Sequence, residues 1–197
     1  MKNSIVALIG ITCIGLTGCA TENVDYITKQ DPTTIKLSFR NGKTRFAITN
    51  HNNELTIRAH GPRGGKGTFT KDIVGFIVKD AKVSDLNQDG HPELFIFLEG
   101  PGPRYIGQVL AYTTKDGKHY QSIYVPHTSK KYEWCQGYRG QDEYQLLNDR
   151  LIIEFPNYLP NDRIGKPSGG KCRATLKLVE KDNSFMMQVD RLDKTQF

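Results

Sequence analysis

The stretch that decides the fold is VSDLNQDGHPELFIFLEGPGPRYIGQVLAY, residues 83–112. It begins with an acidic turn closed by a glycine, and an apolar run at 93–98 follows. A short loop rich in glycine and proline comes next, before a second apolar run at 107–112. Two apolar runs of strand length around such a loop predict a β-hairpin that displays the loop on the surface.

Alternation of apolar and polar residues dominates the rest of the chain, whereas no segment shows a sustained helical period. Besides the two runs of the hairpin, strands are predicted at 35–40, 46–49, 55–58, 73–83, 120–125, 143–147, 150–155, 173–179 and 185–191. Residues 64–68 (GGKGT) lack the spacing of a phosphate-binding loop and are predicted as a flexible basic turn. The sequence therefore predicts one all-β domain over 35–197, an antiparallel β-sandwich or strongly curved sheet of about eight or more strands.

The N-terminus has the pattern of a targeting segment. Lys2 precedes an apolar run that is too short to span a bilayer, which predicts a signal peptide over 1–18. The ending LTGC resembles the lipobox of bacterial lipoproteins, which implies cleavage before Cys19 and lipid attachment to it. Residues 19–34 would then be a lipidated polar tether. The resemblance to Gram-negative lipoproteins implies the periplasmic face of the outer membrane, because residue 20 is alanine and not aspartate. The alternative is an ordinary secretory signal with an incidental cysteine.

Two cysteines remain beyond Cys19, in a compartment where thiols oxidise. Cys135 and Cys172 could form a disulfide, hold a metal, or supply a catalytic thiol. Neither has a cysteine or histidine at ligand spacing. The favoured prediction is a structural disulfide between them.

The acidic turn is a candidate calcium site. It offers oxygen ligands at alternate positions, namely Asp85, Asn87, Asp89 and Glu93. An EF-hand would place a glutamate at the twelfth position, where this chain has isoleucine. The alternative is a turn whose side chains bond to nearby backbone amides. Calcium is thus the one cofactor that the sequence suggests, and none is required.

The loop after the buried run is a candidate binding site. Its members are Gly100, Pro101, Gly102, Pro103, Arg104 and Tyr105. Prolines lower the conformational entropy that a free loop loses on binding. Arginine and tyrosine are enriched among the residues that dominate binding energy, and a guanidinium can pair with a carboxylate in a partner's cleft. The alternative is a tight connection with incidental side chains.

The formal net charge of +6 favours an anionic lipid surface or an acidic protein cleft as partner. The basic residues form no dense stripe, so no nucleic-acid partner is predicted. No nucleophile motif is present, and the chain is not predicted to be an enzyme.

Five blocks occur in the order of one known family: DLNQDGHPEL at 85–94, VLAY at 109–112, GYRGQDEY at 137–144, RLIIEFP at 150–156 and KPSGG at 166–170. They resemble the bacterial periplasmic inhibitors of invertebrate-type lysozyme, the PliI family, over roughly 83–178. The resemblance implies a β-rich protein that binds lysozyme and blocks it by inserting an exposed loop into the active-site cleft. The family loop carries Ser-Gly-x-Tyr. Here residues 102–105 read GPRY, so Tyr105 carries over, glycine replaces the serine and Ile106 is an extra residue. The alternative is a non-inhibitory envelope lipoprotein that binds calcium or another ligand on the same scaffold.

Overall fold

The structure is a computed structural model that describes residues 23–31, 34–41 and 43–195, with the backbone alone at 23–31, 34–41, 128 and 129. The predicted signal peptide over 1–18 and the lipidation site Cys19 lie outside the described residues.

The described residues form strands almost throughout. The strands are β1 (Asn23–Asp31), β2 (Thr34–Asn41), β3 (Thr44–His51), β4 (Glu54–His60), β5 (Lys66–Asp72), β6 (Ile77–Ser84), β7 (Glu93–Glu99), β8 (Gly107–Thr114), β9 (Tyr120–Tyr124), β10 (Glu143–Leu147), β11 (Arg150–Pro156), β12 (Lys171–Lys181) and β13 (Ser184–Thr195). One short helix, α1 (Thr128–Trp134), separates β9 from β10.

The strands make two sheets. The first is an antiparallel meander in the order β1-β2-β3-β4-β5. The second has eight strands in the order β10-β11-β12-β13-β9-β8-β7-β6, and only its β13–β9 pair is parallel. This sheet curves strongly, so that Tyr144 on β10 stacks on Phe97 of β7 with ring centres 5.2 Å apart. The predicted all-β fold with a strongly curved sheet is confirmed.

β7 lies between two apolar clusters. Phe95 and Phe97 face the inside of the curved sheet, whereas Leu94, Ile96 and Leu98 pack towards the first sheet. All five side chains are buried. This explains why β7 reads as a continuous apolar run instead of an alternating one: both of its faces are covered, as in the centre of a layered fold.

The predicted disulfide is confirmed, because Cys135 is bonded to Cys172. It ties the segment after α1 to the first residues of β12, inside the curved sheet. In the chain-entropy account, a cross-link over a loop of this length stabilises the fold by roughly 3–4 kcal/mol.

Three elements differ from the sequence prediction. β1 occupies 23–31, inside the segment predicted as a polar tether, where it pairs with β2 through the backbone although it has no regular apolar pattern. β5 includes most of the stretch predicted as a flexible basic turn. There Gly67 lets the strand pass close to β9, since a Cβ on it would lie 2.8 Å from the Tyr120 Cβ. α1 has only seven residues, too few to show a helical period.

The strand predicted at 73–83 begins later, at Ile77. A turn precedes it, in which the Phe76 N–H donates to the Ile73 carbonyl at 2.8 Å. Gly75 has a φ of +78° in this turn, a conformation that glycine adopts without strain.

Candidate functional site

The loop between β7 and β8, residues 100–106, has a well-defined backbone and is called the β7–β8 loop here. The Gly100 N–H donates to the Ile106 carbonyl at 3.0 Å and closes its base. At the tip, the Tyr105 N–H donates to the Gly102 carbonyl at 3.0 Å. Gly102 has a φ of +78°, which strains most other residues. The loop is thus a hydrogen-bonded turn on a hairpin.

The side chains of this loop differ in exposure. Pro101, Pro103 and Arg104 are exposed, whereas Tyr105 is half-buried. The Lys79 ammonium lies 5.1 Å from the centre of the Tyr105 ring, within cation–π range. Arg104 has no side-chain ion pair or hydrogen bond with any residue that the structure describes. The loop therefore displays Arg104, while Tyr105 rests against the body of the protein.

Gln141, in the segment between α1 and β10, clamps the loop from the side. Its backbone N–H lies 3.2 Å from the Arg104 carbonyl and 3.3 Å from the Tyr105 carbonyl. Its side-chain amide donates to the Pro103 carbonyl at 3.3 Å. Three consecutive carbonyls of the tip are thus held by one residue.

Gly140 makes this close approach feasible. It has a φ of +92°, and a Cβ built on it would lie 1.6 Å from the Arg104 carbonyl oxygen. Any side chain at this position would push the segment away from the β7–β8 loop.

A buried ion pair anchors the start of β8 beneath the loop. The Lys131 ammonium lies 2.7 Å from Asp142 Oδ1 and donates to the Gly107 carbonyl at 3.0 Å. Asp142 Oδ2 accepts the Gly107 N–H at 2.6 Å and the Tyr138 hydroxyl at 2.8 Å. The exposed fractions of the two charged side chains are 2% and 0%. The pair thus binds both backbone groups of the residue that follows the loop.

Burial dominates the electrostatics of this cluster. It lowers the pKa of Lys131, although the charge of Asp142 acts in the opposite direction. Burial, followed by the charge of Asp142, raises the pKa of the Tyr138 and Tyr144 hydroxyls, so both stay protonated. The Tyr138 hydroxyl donates to Asp142, and the Tyr144 hydroxyl accepts from the Lys131 ammonium. A Cβ on Gly107 would lie 2.2 Å from the Tyr144 hydroxyl, so β8 must begin with glycine for the cluster to form.

The long connection between β11 and β12 completes this end of the sheet. Tyr158 is buried, and its hydroxyl donates to the side-chain carbonyl of Gln141. The Arg139 guanidinium donates to the Asp162 carbonyl at 2.8 Å. A cleft of about 190 Å³ lies beside the β7–β8 loop. Its lining includes Tyr105, Gln141, Glu143, Glu154 and Lys171.

The predicted calcium residues lie at the opposite end of β7, in the turn that connects β6 to β7. One carboxylate oxygen from each of Asp85, Asp89 and Glu93 lies within 4.8 Å of the others. Asp85 also accepts the N–H groups of Asp89 and Gly90, at 3.0 and 2.9 Å. Asn87 hydrogen-bonds to Asp89 instead of joining the carboxylate group. This geometry is compatible with a calcium site and also with a turn whose side chains bond to nearby backbone amides. Calcium binding stays a prediction.

Glu93 differs from Asp85 and Asp89 of this turn because it is fully buried. Its Oε2 accepts the Leu86 N–H at 2.7 Å, and its Oε1 accepts the Thr113 hydroxyl at 2.9 Å. Burial raises the pKa of Glu93 to about 8, although both hydrogen bonds favour the ionised form. Since β7 rises about 20 Å from Glu93 to Glu99, this turn does not contact the β7–β8 loop.

Sequence reasoning identified the loop but missed the residues that hold it. Lys131 and Asp142 are eleven residues apart and look like ordinary surface charges. The GYRGQDEY block contained Gly140, Gln141 and Asp142, yet no pattern within it indicated which loop it would contact.

The chain matches no protein-family model, no curated protein and no solved structure. Because function resides in sites and not in folds, the geometry around the β7–β8 loop carries the functional inference. No helix within the described residues is long and apolar enough to cross a membrane.

Replacing Asp142 with asparagine should destabilise the protein. The change leaves the Lys131 ammonium buried without its counter-charge, and losing one partner of a buried pair lowers the free energy of unfolding by about 3–5 kcal/mol. Urea denaturation at pH 7 measures the effect. Glu143→Gln is the matched control, because Glu143 is the next residue and is exposed. Equal stability of the two variants would contradict the anchoring role of Asp142.

The raised pKa of Glu93 predicts how stability depends on pH. Between its ordinary pKa of 4.5 and about 8, the folded protein keeps a proton that the unfolded chain has lost. The free energy of unfolding should therefore fall as pH rises through this window, by up to about 1.4 kcal/mol per pH unit from this group. Glu93→Gln should remove that part of the slope.

The same measurement tests calcium. A bound cation favours the ionised form of Glu93, so calcium should flatten the slope of the parent protein relative to a chelator. If stability depends on pH equally in Glu93→Gln and in the parent protein, the pH dependence does not come from Glu93. If the slope of the parent protein is the same with calcium and with chelator, no calcium site includes Glu93.

Proposed function

We propose that this chain is a cell-envelope lipoprotein that binds and inhibits a lysozyme, with the invertebrate type favoured, by inserting the β7–β8 loop into the active-site cleft. The observation that supports this most is the guanidinium of Arg104. It stands exposed and without a described side-chain partner, on a backbone that Gln141 and the hydrogen bonds within the loop hold in place.

Preorganisation gives such a loop an advantage in binding. A loop that is already ordered loses less conformational entropy when a partner captures it. Three features order the β7–β8 loop before any partner binds. They are the turn at the tip, the clamp by Gln141 and the ion pair beneath Gly107. These contacts support the proposal that the loop enters a preformed cleft in the conformation that it already has.

The charge of the tip is complementary to the target. Glycosidases of the lysozyme type place two carboxyl groups around the scissile bond. A guanidinium can form a bidentate, charge-assisted pair with a carboxylate, and such pairs are about twice as strong as neutral hydrogen bonds. Arg104 would occupy this position, while Tyr105 would contribute apolar contact at the rim together with the exposed prolines.

The change from serine to glycine in the family motif has a structural reason in this chain. Gly102 has a left-handed φ of +78°, and a serine there would be strained. We infer that this loop has exchanged the serine contact for a tighter turn that presents Arg104.

The lipid anchor and the location belong to the same proposal. Attachment through Cys19 would hold the inhibitor on the periplasmic face of the outer membrane, next to the peptidoglycan that it would protect. Lipid chains contribute about 0.8 kcal/mol per buried methylene, which is enough for stable anchoring when several chains are attached.

A non-inhibitory envelope lipoprotein that binds calcium is the second candidate. The carboxylates of Asp85, Asp89 and Glu93, with one oxygen of each within 4.8 Å of the others, favour it. It predicts no effect on any lysozyme and stabilisation by calcium.

A lysis assay with invertebrate-type, chicken-type and goose-type lysozymes tests the proposal. The parent protein should inhibit the invertebrate type, and Arg104→Ala should weaken inhibition about thirtyfold, because truncating a central anchor costs about 2 kcal/mol. Lys181→Ala is the matched control, since Lys181 is an exposed cation at the far end of β12. The proposal fails if the parent inhibits no lysozyme, and the assigned loop is wrong if Arg104→Ala inhibits as well as the control.

A further inference from the structure

One edge of β13 is largely uncovered. β12 pairs with β13 along its whole length, from Ser184 to Thr195. On the other side β9 pairs with only two residues, Phe185 and Met186. No backbone group of residues 187–195 hydrogen-bonds to a turn or loop within the described part of the chain. Such an edge is a template for another strand.

The uncovered edge carries a self-complementary charge pattern. Leu192 is an exposed apolar residue, with 48% of its surface accessible. Arg191 precedes it and Asp193 follows it, and their side chains form an ion pair of 2.8 Å within the strand. Charged side chains and β-bulges can guard a strand edge against pairing. Charges of opposite sign on either side of a leucine, as here, can however also pair between two copies of the same strand.

The strand geometry restricts how two copies of this edge can meet. A two-fold axis perpendicular to the sheet leaves each face of the sheet on the same side in both copies. Residues that lie opposite each other must have side chains on the same face, so the axis has to pass between one residue and its own symmetry mate. With the axis at Leu192, Arg191 lies opposite the partner's Asp193, and the two Leu192 side chains meet. With the axis at Asp193, two like charges lie opposite each other, which is unfavourable. The charges therefore select one register.

A β-bulge limits the stretch that can pair in this register. Asp190 is the extra residue of the bulge, so the regular part of the free edge begins at Arg191. With the axis at Leu192, residues 191–193 pair with their symmetry mates, and Lys194 lies next to the partner's Asp190. This short stretch lies beyond Met186, where the pairing with β9 ends.

We propose that this edge of β13 is a dimer interface, at which a second copy of the chain pairs antiparallel about Leu192. The two ion pairs within the two strands are exchanged for two ion pairs between them, and the eight-stranded sheet continues into the partner. The proposal does not depend on lysozyme inhibition.

Cysteine cross-linking in the full chain, as cells express it, tests the register. Leu192→Cys places two thiols on the axis, at a Cα separation of about 4.5–5.5 Å, which a disulfide can bridge. On a non-reducing gel this variant should run as a dimer that reductant converts to monomer. Gln188→Cys is the matched control, because Gln188 is exposed on the same strand and lies opposite Lys177, away from the native disulfide. Its symmetry mate would lie roughly 25 Å away, too far for a disulfide, and the dimer band should be at least tenfold weaker.

Charge reversal supplies the second readout. Arg191→Glu, added to Leu192→Cys, places like charges opposite each other and should abolish the dimer band. Adding Asp193→Lys as well should restore the band, because the two reversed charges again face each other between strands. A Leu192→Cys variant that stays monomeric, equal cross-linking of Gln188→Cys, or a band unaffected by Arg191→Glu would each overturn the proposal. If the N-terminal segment covers this edge, the Leu192→Cys variant will stay monomeric.

Discussion

The end of the curved sheet that carries the β7–β8 loop depends on one buried ion pair. Lys131 comes from α1 and Asp142 from the segment before β10, and between them they bind the N–H and the carbonyl of Gly107. Burying two charges is unfavourable unless their hydrogen-bonding groups are satisfied. Here both oxygens of the carboxylate and the ammonium have partners, which include the hydroxyls of Tyr138 and Tyr144. The pair therefore joins the helix, the clamping segment and the displayed hairpin into one unit.

The β7–β8 loop is fixed mostly by buried groups and by backbone hydrogen bonds, to which the Gln141 side chain adds one contact. Arg104 contributes its carbonyl to the clamp, while its guanidinium has no described side-chain partner. The two ends of β7 are also well separated, because the acidic turn lies about 20 Å from the loop. Metal binding at that turn would stabilise the fold without contacting a partner in the loop.

Much of the fold could be predicted from the sequence, because strand alternation and turn residues are local signals. The hairpin around β7 and the disulfide between Cys135 and Cys172 were predicted and are confirmed. β1 and β5 were missed because backbone pairing, and not an apolar pattern, places them in the first sheet. The anchor at Asp142 could not be predicted either. Its role comes from contacts with residues up to thirty-five positions away, and nothing in the local sequence separates it from an exposed aspartate.

The central claim is that the β7–β8 loop is a preorganised contact surface for a lysozyme cleft. Amide hydrogen exchange of the full chain, measured with and without an excess of invertebrate-type lysozyme, tests it most directly. The account predicts slower exchange at Gly102, at residues 104–106 and at Gln141 when lysozyme is present, and unchanged exchange in the acidic turn at 85–91. Unchanged exchange in the loop, or slower exchange confined to the acidic turn, would contradict it.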